Sequence, residues 1–115
     1  MADIIKHKTK LWPNSFQAIK EGSKTIEMRL CDEKRSLIKI GDIIVFTNTS
    51  SNEIMQCIVT NIYKYSSLEE LYRNHDKISI GYKALEEANP KDMLIYYSND
   101  DIIKYGVLAI EIKKF

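Results

Sequence analysis

Residues 54–65, IMQCIVTNIYKY, are a run of twelve residues with apolar side chains at both odd and even positions. Successive side chains of a strand face opposite sides of a sheet, so a strand that is apolar on both faces must be covered on both. The run therefore predicts a long central strand, and we expect a β-bulge within it. A chain built around such a strand needs neighbouring strands and further elements that cover the sheet.

Four shorter strands are predicted from alternating polarity and from the turn residues that bound them. Residues 3–11 have lysines on one face, and the opposite face holds Ile5, His7, Thr9 and Leu11. The other three strands are expected within residues 22–35, 43–47 and 105–115. Residues 48–52, NTSSN, have the composition of a hairpin loop before the long strand.

One helix is predicted between the first two strands. Pro13 suits the first turn of a helix, and Asn14 or Ser15 can cap it. Gly22 is expected to end the helix in the left-handed conformation.

After residue 65 the pattern changes from strand to helix. Ser67 and Glu70 form a capping box, and an amphipathic helix follows it. Two further short helices are predicted, one from Ala84, Leu85 and Ala88 and one, after Asn89-Pro90, from Met93, Tyr96 and Tyr97. The helices are thus grouped in one insertion before the closing strand.

This order of elements indicates an α+β fold. We expect residues 1–115 to form a single domain, a small, partly closed β-barrel with helices covering one side. Alternation also predicts one shared core, from which Glu27 and Arg29 point away. The members of that core are Ile26, Met28, Leu30, Leu108 and Ile110.

Composition narrows the class of protein. The net charge is only +1, but residues 1–40 hold nine Lys and Arg against five Asp and Glu. A chain so nearly neutral is unsuited to an extended DNA duplex, whereas its basic first third suits a single nucleotide or a short single strand. No apolar run is long enough to cross a membrane, and residues 1–10 do not resemble a signal peptide, so a cytoplasmic location is expected. Cys31 and Cys57 are expected to be reduced thiols, and no cofactor motif or metal-ligand spacing is present.

The stretch GSKTIEMRLCDEKR, residues 22–35, holds the main candidate site. Glu27 and Arg29 share a face of the predicted strand about 7 Å apart, and Lys24 lies at the corner where the strand begins. One interpretation is ordinary solvated surface, since exposed ion pairs contribute little. The other is a cleft beneath the helical insertion, where two cations around one carboxylate bind a phosphate or a polar heterocycle.

Other candidate residues also have two interpretations. Trp12, Tyr96 and Tyr97 stack on a base in one and pack in the core in the other. Lys34 and Arg35 contact phosphate or form a solvated turn. His7 and His75 are expected to be partly buried at the edge of the core.

The stretch LWPNSFQAIKEGSKTIEMR, residues 11–29, resembles the signature of the ASCH domain family of the PUA-like superfamily. The core pattern G-x-K-x-x-E-x-R corresponds to Gly22, Lys24, Glu27 and Arg29. The flanking DEKR…IKIGDIIVF and YYS…YGVLAIEI are also similar, so the resemblance extends over about residues 7–112. It implies a PUA-like β-barrel with a cleft at the motif, and a ligand that is RNA, a nucleotide or a modified nucleoside.

A related branch resembles an acetylcytidine amidohydrolase, which uses a lysine, a threonine nucleophile and a glutamate. Lys24 matches the lysine, but the threonine position holds Glu27, and Thr25 lies two residues too early. The resemblance thus leaves two hypotheses. In the first, the cleft binds RNA or a nucleotide through Lys24, Glu27 and Arg29, helped by Trp12, Lys34 and Arg35. In the alternative, a small hydrolase uses Glu27 as general base and Lys24 to stabilise a developing anion.

Overall fold

The computed structural model describes residues 3–115, which form a five-stranded sheet and a set of short helices. The strands are β1 Lys6–Leu11, β2 Ile26–Leu30, β3 Ile43–Asn48, β4 Ile54–Tyr65 and β5 Val107–Lys114. The α-helices are α1 Pro13–Glu21, α2 Leu68–Asn74 and α3 Asn99–Tyr105. Two 3₁₀ helices cover Arg35–Leu37 and Pro90–Ile95. The order of one helix, three consecutive strands and a helical insertion confirms the predicted α+β class.

The sheet has the strand order β1-β3-β4-β5-β2, with β1 parallel to β3 and all other pairs antiparallel. It curls into a half-barrel, as predicted, so that the two edge strands β1 and β2 approach each other. Arg29 of β2 donates a hydrogen bond from Nη2 to the main-chain oxygen of Lys10 on β1, at 3.1 Å. We call this gap between β1 and β2 the seam.

The central strand β4 contains the predicted bulge. Val59 pairs with Ile112 and Asn61 with Glu111, so the register shifts by one residue between them. Before the bulge, β4 contributes to one apolar cluster, and after it the side chains of Tyr63 and Tyr65 pack against another. Because of the bulge, side chains of this one strand pack in both apolar clusters.

The prediction of a single shared core is wrong. All five named residues are buried, but Leu108 and Ile110 belong to a barrel core with α1, whereas Ile26, Met28 and Leu30 belong to an outer core beneath α2 and α3. Antiparallel partners share a face, and Glu27 pairs with Ile110 and Arg29 with Leu108.

Glu27 and Arg29 therefore point away from the outer core but toward the barrel interior. Alternation could not reveal this, because both faces of β2 are covered. The charged residues of β2 lie beside the barrel core at the seam, where the barrel is open.

Of the three predicted helix caps, one is wrong and two are confirmed. Helix α1 begins at Pro13 after Trp12, with no side-chain cap from Asn14 or Ser15. It ends at Gly22, whose φ of 92° is the predicted left-handed conformation. Helix α2 begins as expected, since the Ser67 hydroxyl accepts a hydrogen bond from the main-chain N–H of Glu70.

The helical insertion departs from its prediction in three places. Residues around Leu85 form a turn rather than a helix, because Leu85 has no apolar surface to cover it and Lys77 binds the main-chain oxygens of Ala84 and Glu86. The helix expected at Met93 is the short 3₁₀ helix Pro90–Ile95, which ends before Tyr96. Helix α3 was not predicted, although Ser98 caps it through the N–H of Asp101. Within residues 3–115, the helices are all too short or too polar to cross a membrane.

Gly106 joins α3 to β5 in a conformation that a side chain would disturb. Its φ is +76°, and an added Cβ would lie 2.9 Å from the main-chain oxygen of Tyr65. We expect Gly106→Ala to lower the free energy of unfolding by about 3 kcal/mol, because backbone strain and a steric clash add. Urea denaturation followed by circular dichroism measures this change.

Gly41→Ala is the matched control. Its φ is +93°, but no atom lies within 4 Å of the added Cβ, so it isolates the strain alone at about 1 kcal/mol. Equal losses in the two variants would contradict a clash at Gly106.

Candidate functional site

A cavity of about 350 Å³ opens between the strand end at Leu11, the start of β2 and the helical insertion. This volume lies in the usual range of small-ligand sites, about 300–1,000 Å³. Its floor is polar and its rim is largely aromatic. The residues that define it are Lys10, Trp12, Lys24, Glu27, Arg29, Tyr72, Gly81, Tyr82, Glu86, Asp92, Tyr96 and Tyr97.

Three charged side chains form the floor of the cavity. Lys24 Nζ lies 2.8 Å from Glu27 Oε1, and Glu27 Oε2 accepts hydrogen bonds from Arg29 Nε at 3.0 Å and Nη2 at 2.8 Å. Lys24 is 6% exposed and Glu27 is 5% exposed. The interpretation of this stretch as solvated surface is therefore wrong, because Lys24 and Glu27 are buried, Arg29 is partly buried, and all three are paired.

Local backbone structure fixes the position of Lys24. After Gly22 reverses the chain, the main-chain N–H of Lys24 donates to Ala18 at 3.1 Å. The main-chain oxygen of Ser79 accepts hydrogen bonds from the main-chain N–H groups of Thr25 and Ile26. These bonds hold this corner against the helical insertion. Gly81 packs over the lysine, since a Cβ there would lie 3.3 Å from Lys24 Cδ. The insertion thus covers the lysine stem and leaves the ammonium at the cavity floor.

Burial and neighbouring charges alter the titration of Glu27 and of Tyr97. Burial raises the pKa of Glu27, but the ammonium of Lys24 and the guanidinium of Arg29 outweigh it and hold the pKa of this carboxyl below its ordinary value. Burial raises the pKa of Tyr97 beside Arg29, so its phenol stays neutral at pH 7. An efficient general base has a pKa near the working pH, so Glu27 is poorly suited to that role.

The hydrogen bonds leave donors available on the floor. Glu27 accepts three bonds, which occupy most of its capacity as an acceptor. Among residues 3–115, the Lys24 ammonium has no second acceptor, so two of its three N–H groups remain for a ligand. The floor therefore presents donors more readily than acceptors.

Aromatic side chains form the rim. Trp12 is 59% exposed, and its ring centroid lies 5.2 Å from that of Tyr96 in an edge-to-face arrangement. Tyr96 in turn lies 6.4 Å from Tyr97. Trp12 and Tyr96 are thus rim residues rather than core residues, which favours the stacking hypothesis over core packing.

The opposite wall carries polar residues that sequence patterns did not indicate. The Tyr82 hydroxyl lies 2.7 Å from Asp92 Oδ2 and 3.0 Å from the Tyr72 hydroxyl. Glu86 of the same insertion also lines the cavity. These residues are spread along the insertion with no motif, so only the folded chain brings them together.

Lys34 and Arg35 do not line this cavity. They border a second, smaller cavity of about 20 Å³ on the other side of Glu27 and Arg29. Arg35 Nη1 lies 2.9 Å from Asp32 Oδ2, whereas Lys34 is exposed. Lys34 and Arg35 therefore lie outside the main cavity, and their contact with phosphate stays a prediction.

Histidines and cysteines stay outside the main cavity. His7 Nε2 lies 2.8 Å from Asp42 Oδ2, and His75 Nε2 lies 2.8 Å from the Tyr65 hydroxyl. Both cysteines are free thiols, as predicted, and burial raises the pKa of Cys57 to about 11. In the part of the chain that the structure describes, no cluster of His, Cys, Asp and Glu is suited to a metal ion.

Comparison with known proteins identifies the family. The model of the ASCH domain matches residues 10–115, so the chain belongs to the ASCH domain family, and its half-barrel with helices is the PUA-like fold. No curated protein matches the chain significantly.

Solved structures show the same fold. The crystal structure of hypothetical protein PH0355 is 36% identical, with a TM-score of 0.83 over 96% of this chain and 100% of that chain. The solution structure of PF0455 from Pyrococcus furiosus is 28% identical, with a TM-score of 0.76 over 96% of this chain and 98% of that chain. The S128A mutant of ZmASCH from Zymomonas mobilis is 17% identical, with a TM-score of 0.68 over 99% of this chain and 73% of that chain. At that identity the likeness concerns the fold alone.

We expect Glu27→Gln to lower the free energy of unfolding by about 3 kcal/mol at pH 7, because it leaves the buried Lys24 and the partly buried Arg29 without their counter-ion. The pKa of Glu27 is lower in the folded chain than its ordinary 4.5, so its contribution is complete above pH 4.5 and is lost as the pH falls through the folded value. The difference between wild type and variant should therefore be constant near neutral pH and shrink below about pH 4.5. Urea titrations at several pH values measure it.

Glu53→Gln is the control for removing a carboxylate from an ion pair. Glu53 pairs with Lys20 at 2.7 Å, and both side chains are nearly half exposed. Its loss should cost at most about 1 kcal/mol. A difference between wild type and Glu27→Gln that grows as the pH falls would contradict the lowered pKa.

Proposed function

We propose that this protein binds a nucleotide, either free or within RNA, with the base in the cavity and its polar edge against Lys24 and Arg29. The observation that carries the proposal is the triplet of the buried Lys24 and Glu27 and the partly buried Arg29, at the floor of a cavity with an aromatic rim. The association of the ASCH family with RNA binding supports this class of ligand.

The chemistry of the floor fits a nucleobase edge. The ammonium of Lys24 and the guanidinium of Arg29 donate to carbonyl oxygens or ring nitrogens, which are acceptors on every base. Glu27 holds both cations in place, and its remaining lone pair can accept from an exocyclic amine. The negative charge of Glu27 and the acidic wall at Asp92 and Glu86 favour an uncharged base over a phosphate at this floor.

The rim fits the face of the same base. Trp12 and Tyr96 expose ring surface at the mouth of the cavity, and stacking on an aromatic side chain contributes about 1–3 kcal/mol per base. A volume of about 350 Å³ suits one nucleoside unit rather than a run of bases. The proposed ligand is therefore recognised one base at a time.

Lys24→Met tests the proposal. This change keeps the apolar stem that packs beneath Gly81 but removes the donor, so we expect affinity for the best-binding nucleoside monophosphate to fall about 10- to 100-fold. Trp12 is the only tryptophan, so quenching of its fluorescence reports occupancy of the cavity rim.

Lys20→Met is the matched control. It makes the same change of side chain at an exposed lysine that lies outside the cavity. Thermal unfolding confirms that both variants are folded at the assay temperature. Equal affinity in wild type and a folded Lys24→Met variant would contradict the role of Lys24.

A hydrolase acting on a modified nucleoside is the alternative function. It is favoured by the buried position of Lys24, which matches the lysine of the acetylcytidine amidohydrolase branch. It is opposed by the lowered pKa of Glu27, which stands where that branch has its threonine nucleophile.

We expect wild-type protein to show no turnover of acetylcytidine above background, because Glu27 is ionised, paired and poorly basic. Glu27→Thr restores the residue type of the amidohydrolase branch at this position. Chromatographic detection of cytidine and acetate measures turnover in both proteins. Hydrolysis by Glu27→Thr alone would show a related pocket that lacks its nucleophile. Enzyme-like hydrolysis by the wild type would contradict the binding function in favour of the hydrolase.

A further inference from the structure

Three lysines near the cavity are exposed and lack an ion-pair partner. Within residues 3–115, Lys8, Lys10 and Lys34 form no ion pair, whereas the cations beside them, Arg29 and Arg35, are each paired with a carboxylate. Charges left unpaired on an open surface are available to an anionic partner.

The three lysines border the two cavities. Lys10 borders the main cavity, and Lys8 and Lys34 border the smaller one. The two cavities share Glu27 and Arg29 as lining residues. Exposed lysines therefore border both of the cavities that meet at Glu27 and Arg29 beside the seam.

The charges around the main cavity determine where a phosphate backbone can leave it. Asp92 and Glu86 of the helical insertion line the main cavity with negative charge, so they repel a phosphate group. On the seam side, Asp32 is already neutralised by Arg35. A strand whose base occupies the cavity would therefore leave it along the seam.

We infer that the seam binds the phosphate backbone of single-stranded RNA, with Lys8, Lys10 and Lys34 contacting the nucleotides next to the one in the cavity. This inference rests on the proposed function and identifies its ligand as a nucleotide within a strand. It also gives Lys34 a role that its distance from the main cavity had left open.

Single-stranded RNA and mononucleotides distinguish the two proposals. Homopolymers of adenylate, cytidylate and uridylate, each about nine nucleotides long, are compared with the matching 5′-monophosphates by Trp12 fluorescence and by anisotropy of end-labelled RNA. We expect the best homopolymer to bind at least about 10-fold more tightly than its monophosphate. Its affinity should fall with a logarithmic salt slope of about −2, as three phosphate contacts on a single strand predict.

The variant Lys8→Gln/Lys10→Gln/Lys34→Gln removes the three charges with little change in side-chain length. It should weaken RNA binding by about 10- to 100-fold and flatten the salt slope. The double variant Lys8→Gln/Lys34→Gln, which alters no residue lining the main cavity, should keep monophosphate affinity within about 2-fold. The matched control is Lys64→Gln/Lys104→Gln/Lys113→Gln, since these lysines are exposed and border neither cavity. The control should leave RNA binding nearly unchanged.

Each other outcome has a definite meaning. If monophosphates bind but RNA binds no more tightly, the seam does not contact phosphate and the inference fails while the proposed function stands. Equal losses in the two triple variants would likewise overturn it, as would equally tight binding of an RNA duplex. If neither monophosphate nor RNA binds, both proposals are overturned.

Discussion

The site depends on one buried carboxylate. Transfer of an isolated carboxylate from water into a protein interior is strongly unfavourable, and Glu27 is tolerated because three N–H groups face its two oxygens. A buried ion pair contributes little net stability, but loss of one member leaves an uncompensated charge. Glu27 therefore constrains its neighbours more than it stabilises the fold. Lys24 at the corner and Arg29 at the seam are held in place as its counter-ions.

The same constraint explains why the half-barrel stays open. Glu27 and Arg29 occupy the barrel-facing side of β2, beside Ile110 and Leu108. A further strand closing the gap between β1 and β2 would bury them without solvent access. Instead, the Arg29 side chain spans the gap to the Lys10 main-chain oxygen. The opening and the charged floor are thus two aspects of one arrangement, and both cavities meet there.

Local patterns predicted much of this fold. The central strand β4 with its bulge, the α1 helix ending at Gly22 and the Ser67 cap each follow from residues close in sequence. The floor of the site was also predictable, because Lys24, Glu27 and Arg29 lie within six residues. The walls were not: Tyr82 and Asp92 meet only through the packing of the insertion.

Two failures have a common physical origin. One failure was the prediction of one core instead of two, and the other was the prediction of a helix at Leu85. Both depend on which part of the chain packs against a given apolar surface. Alternation reports that a face is buried but not by what, so Met28 and Leu108 looked like members of one core. Helical spacing at Leu85 had no partner surface, and a short segment without tertiary packing does not form a stable helix.

The lysines of β1 have a consequence for the behaviour of the protein at high concentration. β1 is an edge strand, and an unpaired edge is a template for pairing with a strand of another molecule. Lys6, Lys8 and Lys10 are all exposed on it, so two copies meeting edge to edge would bring two rows of like charge together. This repulsion opposes fibrillar aggregation, and it is strongest at low ionic strength, where screening is weakest.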